Sequence, residues 1–341
     1  MTQLFGHEDA VAAFRDAFDA DRLHHAWLLA GHEGIGKATF ARAASQFLLT
    51  GADISNSGFG PATSEQGAKL FEAGTHPDFR LLKREIWRGK APNDYIVPED
   101  DVKADESPAR GIRVKQIRLV APFFTTTPAF ASYRAVVIDS ADVLEPEAAN
   151  ALLKMLEEPP PRTVFFLVSN SPDKLLPTIR SRCRLLRLKP LADDVMASAL
   201  RALAPDAEEA EIAAMVRSGE GAPGRALAQR GLELDRLDAA LDELVREGDP
   251  TNARRSALAQ ALSLKAAQPR YEAFLARVPA RIAEEARGRR SAGLAEAIAL
   301  WERAVALSGV AQRLSLDVTS TVFELAGMLA ALAPERNVRA A

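Results

Sequence analysis

Apolar residues recur along the first 190 positions in two alternating rhythms. In "HEDAVAAFRDAF" Val11, Phe14 and Phe18 stand three and four residues apart, which places them on one face of a helix. "AWLLA" is instead a short unbroken apolar run ending at a glycine, the form of a buried strand. "KATFARAASQFLL" returns to helical texture and starts inside that glycine loop, and a further helical signal runs from Ile112 to Phe124. Downstream, "YRAVVIDSAD" is an apolar strand running into acids, "PEAANALLKMLEEPP" a helix closed by prolines, and "TVFFLVSN" another buried strand. Strands alternating with helices predict an α/β domain built on a parallel sheet covered by helices. Two stretches break the rhythm: residues 51–68 are rich in Gly, Ser, Asn and Thr, and residues 88–111 are polar and punctuated by proline. Both are expected to be irregular surface excursions.

After "KPL" at 189–191 the texture becomes Ala/Leu/Arg/Glu-rich and helical, with almost no strand signal and a main break at "SGEGAPGRAL" (218–227). From Leu232 to Pro334 the pattern predicts roughly five helices, one of them carrying Leu294, Ile298, Trp301 and Val305 on a single face. No repeat of fixed period is present. The expected organisation is an α/β domain over 1–190, a small helical domain over 191–231 and a C-terminal helical bundle over 232–341.

Length and charge narrow the picture. A chain of 341 residues exceeds one typical core, and a net charge of -3 gives no global attraction to a polyanion, so any nucleic-acid contact has to be a local patch. The single cysteine, Cys183, excludes an internal disulfide and every multi-cysteine metal motif. The N-terminal residues carry charges throughout, and "AWLLA" is far short of a signal-peptide core or a membrane span, which makes the cytoplasm the expected location.

The candidate chemistry centres on "GHEGIGKAT". Gly31, Gly36 and Lys37 fit the phosphate-binding pattern G-x-x-x-x-G-K-[ST], Gly34 adds a further turn, and only the last position fails, where Ala38 replaces the hydroxyl residue that holds Mg²⁺. Thr39 follows, turned about 100° further round the helix and so expected to point elsewhere. A glycine turn with a surface lysine would read the same in isolation. The second element is Asp139, at the C-terminal end of "AVVID", where a parallel sheet presents its ligand residues; such an aspartate either holds Mg²⁺ through water or merely caps the strand.

The segment from Tyr133 to Leu191, with "NALLKMLEEPP" followed by "LPTIRSRC", resembles the clamp-loader branch of the AAA+ ATPases, and "HHAWLLAGHEGIGKA" and "GTHPDF" extend the likeness over roughly residues 1–230. The resemblance implies an AAA+ P-loop sheet with flanking helices, a helical lid and a C-terminal helical collar. It implies a hetero-pentamer in which ATP lies between neighbours. In that ring Arg182, within Ser181-Arg182-Cys183, would be an arginine finger supplied in trans to the next subunit's ATP; a solvated surface arginine is the plainer alternative. Hydrolytic relatives carry Asp-Glu where this chain has Asp139-Ser140, and serine cannot act as that base. With Ala38, this predicts no ATP hydrolysis by the chain alone, so not an enzyme by itself, as for the clamp-loader members it looks most like. Lys37, Asp139, Asn170 at the first sensor position and Arg225 at the second keep what is needed to hold ATP or ADP weakly. No cofactor is expected to be required. Relatives place a four-cysteine zinc module over the counterpart of residues 50–78, which contains no cysteine here, so no zinc is expected. The implied partners are the ATP-hydrolysing gamma/tau subunits, the clamp-opening delta subunit and, through the assembly, the β sliding clamp and primed DNA. The competing readings are an independent P-loop ATPase or kinase and another AAA+ nucleic-acid remodelling enzyme. The acidic "PEDDVKADE" argues against the second.

Overall fold

The computed structural model describes residues 3–334 except 53, 56, 57, 90–94, 98–105, 107, 125, 126, 233 and 315. In chain order its first part runs α1 (Glu8–Asp19), β1 (Ala26–Ala30), α2 (Lys37–Thr50), β2 (Ile54–Ser55), β3 (Gly58–Phe59), α3 (Glu65–Glu72) and β4 (Phe79–Leu82). It continues through β5 (Trp87–Arg88), β6 (Tyr95–Ile96), α4 (Val114–Val120), β7 (Arg134–Ile138), α5 (Pro146–Glu157), β8 (Thr163–Ser169), α6 (Pro177–Arg180) and β9 (Arg184–Arg187). Helices α7 (Asp193–Leu203), α8 (Glu209–Gly219), α9 (Pro223–Gln229), α10 (Leu234–Glu247), α11 (Ala253–Ser263), α12 (Gln268–Arg287), α13 (Ser291–Leu314) and α14 (Val318–Ala330) follow. Contacts divide the chain into two compact units, 1–228 and 229–341.

The central sheet of the first unit is parallel, in the order β4-β7-β8-β1-β9. Its strands alternate between two cores, as the two-residue repeat of a strand requires. Trp27 and Leu29, Ala135 and Val137, and Val164, Phe166 and Val168 face α1 and α2, while Ala26 and Leu28, Val136 and Ile138, and Phe165 and Leu167 face α4 and α5. The first core is strongly aromatic: Phe14 of α1 lies 5.4 Å from the Trp27 ring and about as close to Phe40, Phe47, Phe59 and Phe166. Helix α5 starts with Pro146 at its first position and stops before Pro159-Pro160, both where proline is tolerated. This is an α/β architecture, a parallel sheet flanked by helices with a glycine-rich loop after β1, and a helical region C-terminal to the sheet.

Three local readings change. The 51–68 stretch is not wholly irregular: β2 and β3 form a hairpin, and α3 starts at Glu65 because the Ser64 Oγ accepts from the Gly67 N–H. Phe59 draws the hairpin in by packing on Phe14 and Phe40. Within 88–111, Trp87-Arg88 pairs with Tyr95-Ile96, while most of "PEDDVKADE" lies outside the described residues. Strands β4 and β9 carried no clear sequence signal, since β4 is four residues long and β9, "RLLR", is an edge strand with both arginines exposed.

Helices α7–α9 belong to the first unit and bury Leu191, Met196, Leu200, Ile212, Met215 and Ala226 among themselves. The second unit holds α10–α14 around Phe274, Val278, Ile282, Val322 and Leu325. In α13 the buried face is not the expected one. Ala297, Leu300, Ala304 and Ala311 are buried, while Ile298, Trp301 and Val305 are exposed at 44%, 40% and 45%. Alanines seven residues apart let α13 lie close against α12 and α14, so the small residues, not the bulky ones, make the seam. Among the described residues no helix is long and apolar enough to cross a membrane.

Candidate nucleotide site and the Arg182 turn

The C-terminal ends of β1, β7 and β8 lie side by side, so the loops that follow bring Gly31–Lys37, Asp139-Ser140 and Asn170 together. A cavity of about 620 Å³ opens there in the first unit. Gly34, Gly36, Lys37, Ala38, Thr39, Asp139, Ser140 and Asn170 line its polar side, and Leu4, Phe5, Leu191, Leu203 and Leu227 its apolar side. Thr39 borders this cavity together with Ala38. The cavity thus joins a positive helix end, a lysine and an acid to an apolar wall, which is the chemistry of a nucleotide pocket.

The loop is held by its neighbours. Gly34 has φ +77°, and a Cβ there would sit 2.3 Å from the Arg225 nitrogen, while the Gly224 N–H donates to the Gly34 carbonyl at 2.8 Å. The start of α9 is therefore seated directly on the loop. Gly36 caps α2 in a left-handed conformation. A Cβ on Gly31 would meet the Leu188 carbonyl at 2.7 Å, which explains why the loop's first residue is a glycine. His7, which the sequence reading passed over, is buried at the start of α1, and its Nε2 donates to the Ile35 carbonyl at 2.8 Å. A lone histidine six residues into a chain carries no signal for such a role.

The charges are arranged around Lys37. Its ammonium is buried and donates to the loop's own Gly31 and His32 carbonyls at 2.8 and 2.6 Å. Burial lowers its pKa, against the opposing pull of Glu33, Asp142 and Asp139. Burial likewise raises the pKa of Asp139, offset by Lys37 and by the Ser140 N–H. Asp142 is a second acid that sequence reading missed; the repeated acid in "DSAD" was its only signal, and its Oδ1 accepts from the Asn170 N–H at 3.2 Å. Ser140 occupies the left-handed region, with φ 64° and ψ 55°, and carries no carboxylate into the cavity. Arg225 contributes its backbone rather than its side chain. Its Nη1 pairs with Glu220 at 2.5 Å, and Arg225 is not among the residues lining the cavity.

Arg182 lies outside this cavity, in the turn after α6. Its Nη1 donates to the Thr178 carbonyl at 3.0 Å and its Nη2 pairs with Glu157 at 2.9 Å, with 37% of the side chain exposed. Next to it Cys183 packs against the α4–α5 core, and burial pushes its thiol up to about 12, so the sulfur is a packing group and not a nucleophile. His76 is buried against Phe130 with its Nδ1 accepting from the Asp78 N–H, a structural role.

A family model described as "DNA polymerase III, delta subunit" matches residues 6–192. The chain is 32% identical over 212 residues to DNA polymerase III subunit delta' of Escherichia coli (strain K12), an alignment that covers 62% of this chain and 56% of that protein. It is 30% identical over 192 residues to DNA polymerase III subunit gamma of Buchnera aphidicola subsp. Schizaphis graminum, covering 56% of this chain and 46% of that one. The chain thus spans about half the length of the curated relatives it matches. A solved structure of a DNA polymerase III, gamma subunit-related protein from Thermotoga maritima covers 95% of this chain and 99% of its own at 13% identity, with a TM-score of 0.43.

Proposed function

The chain belongs to the DNA polymerase III delta subunit family, and from that premise we propose that it is a delta-prime-like clamp-loader subunit that does not hydrolyse ATP and lends Arg182 to ATP held by a neighbour. One contrast carries this reading. The chain's own cavity keeps a lysine and an aspartate but has Ala38 and Ser140 where a metal-holding hydroxyl and a water-activating carboxylate belong, whereas Arg182 is half-exposed outside it.

On this reading ATP or ADP binds weakly if at all, because an incoming phosphate has to take Lys37 from two carbonyls that already satisfy it. No zinc is required. The partners are the gamma/tau and delta subunits of a cytoplasmic hetero-pentamer that loads a β sliding clamp on primed DNA. The exposed Ile298, Trp301 and Val305 face of α13 supports a collar role for the C-terminal helices, since such a stripe is what a neighbouring helix would cover. The groove between α4 and α5 mixes Arg118 and Lys154 with Glu147 and Glu158, which suits slight contact with DNA.

The test is ATP turnover in a complex reconstituted with gamma/tau, delta, clamp and primed DNA. Arg182→Ala is expected to leave assembly intact and to abolish the share of turnover contributed by the adjoining site, since such arginines are worth about 10³–10⁵ in rate. Unchanged turnover at saturating ATP would remove the finger. A Lys37-dependent rate of comparable size from the isolated chain would favour the independent ATPase instead.

A further inference from the structure

We infer that Glu157 is a positioning residue for Arg182, fixing the orientation of the guanidinium before a phosphate reaches it; this rests on the reading of Arg182 as an arginine finger. The two side chains come from different elements. Glu157 is the last residue of α5, and Arg182 follows α6, a short helix that packs on α5.

The contact uses the guanidinium economically. Nη2 pairs with the Glu157 Oε1 at 2.9 Å while Nη1 donates to the Thr178 carbonyl at 3.0 Å, so two points on the planar group are fixed and its orientation with them. A guanidinium carries more N–H donors than these two, and those left over remain for an anion. Arginine is a flexible side chain whose rotamer freedom has to be lost when it docks on a phosphate; a partner that fixes it beforehand removes part of that loss at the moment of binding.

The placement of Glu157 is itself unfavourable for its own helix. A carboxylate on the last residue of a helix meets the helix's negative end, and here Glu158 adds a second acid beside it. The helix dipole therefore does not explain an acid at 157. Its contact with Arg182 does. Both side chains remain partly exposed, at 44% and 37%, so a phosphate can reach the guanidinium's remaining donors while the pair stays in place.

Glu157→Gln in the reconstituted complex keeps the shape but weakens the hold. Its expected effect is a loss of roughly 3-fold in ATP-saturated turnover at the adjoining site, the size that an exposed pair supports, with assembly unchanged. In an Arg182→Ala background the same substitution is expected to do nothing. If Arg182→Ala lowers turnover and Glu157→Gln does not, or if Glu157→Gln acts equally in both backgrounds, the positioning role is wrong while the finger stands. If Arg182→Ala itself has no effect, both fall. A separate readout on the isolated chain covers a variant that assembles poorly: the ¹⁵N relaxation of Arg182 Nε is expected to show a more mobile side chain in Glu157→Gln, and an unchanged order parameter would overturn the proposal.

Discussion

Gly34 joins the two halves of the first unit through a single missing methyl group. Its φ of +77° strains any other residue, and a Cβ would sit within 2.3 Å of the Arg225 nitrogen, backbone that cannot step aside without lifting α9 off the loop. Gly34→Ala is therefore expected to cost about 2–4 kcal/mol, combining the left-handed strain with the overpacking. Chemical denaturation measures the cost, and hydrogen exchange at α9 shows where it falls; an unchanged midpoint would mean that α9 does not rest on the loop. This glycine and Lys37 were legible from one local pattern, and Asp139 from its place at the end of an apolar strand. His7 and Asp142 were not, since each acts through a contact that no spacing announces. For Arg225, Glu220, five residues earlier, takes the side chain, and the sequence alone does not rank one partner above another.

At the level of elements, long apolar runs were readable and short or edge ones were not. Strands β7 and β8 are buried on both faces and announce themselves, whereas β9 buries only Leu186 and reads as part of a basic run. Helix α13 shows a different failure. Periodicity selects the bulkiest stripe, but close packing against two helices selects the smallest. Neighbouring substitutions separate the two faces. Ala304→Leu is expected to destabilise the second unit by about 1–3 kcal/mol because the seam has no room. Val305→Ser, one position on, is expected to stay within about 1 kcal/mol in the isolated chain. Equal costs in denaturant titrations would mean that the helix is rotated from the orientation described.

Across the whole molecule, the alternation of strands and helices and the change of texture after residue 191 were legible. What the sequence did not reveal is which of its titratable groups are buried. All five histidines precede residue 228. His7, His25 and His76 have pKa values lowered from 6.5, in each case chiefly by burial, which disfavours the charged ring. Above pH 6.5 they are neutral folded or unfolded and cost nothing. As pH falls below 6.5 the unfolded chain takes up protons first, so the first unit loses stability, by up to about 1.4 kcal/mol per pH unit for each histidine. Asp139 works in the opposite sense, because burial raises its pKa and protonation relieves it further into acid.

The second unit has no histidine and titrates differently. In Asp249 burial opposes ionisation, but N–H groups of Arg255 and Arg254 outweigh it and lower the pKa. Arg254 lowers that of Glu247, and the Ser320 N–H that of Asp317. These groups stabilise the fold while ionised, and that contribution is lost only as pH falls below the ordinary carboxylate values of 3.8 and 4.5. Between pH 7.5 and 5 the two units should therefore part company. Hydrogen exchange, corrected for the intrinsic pH dependence of amide chemistry, is expected to show α2 and β8 losing protection over that interval while α12 and α14 keep theirs. Parallel loss in both units would show that acid acts on something other than the buried histidines, and no loss in either would mean that those rings protonate without cost to the fold.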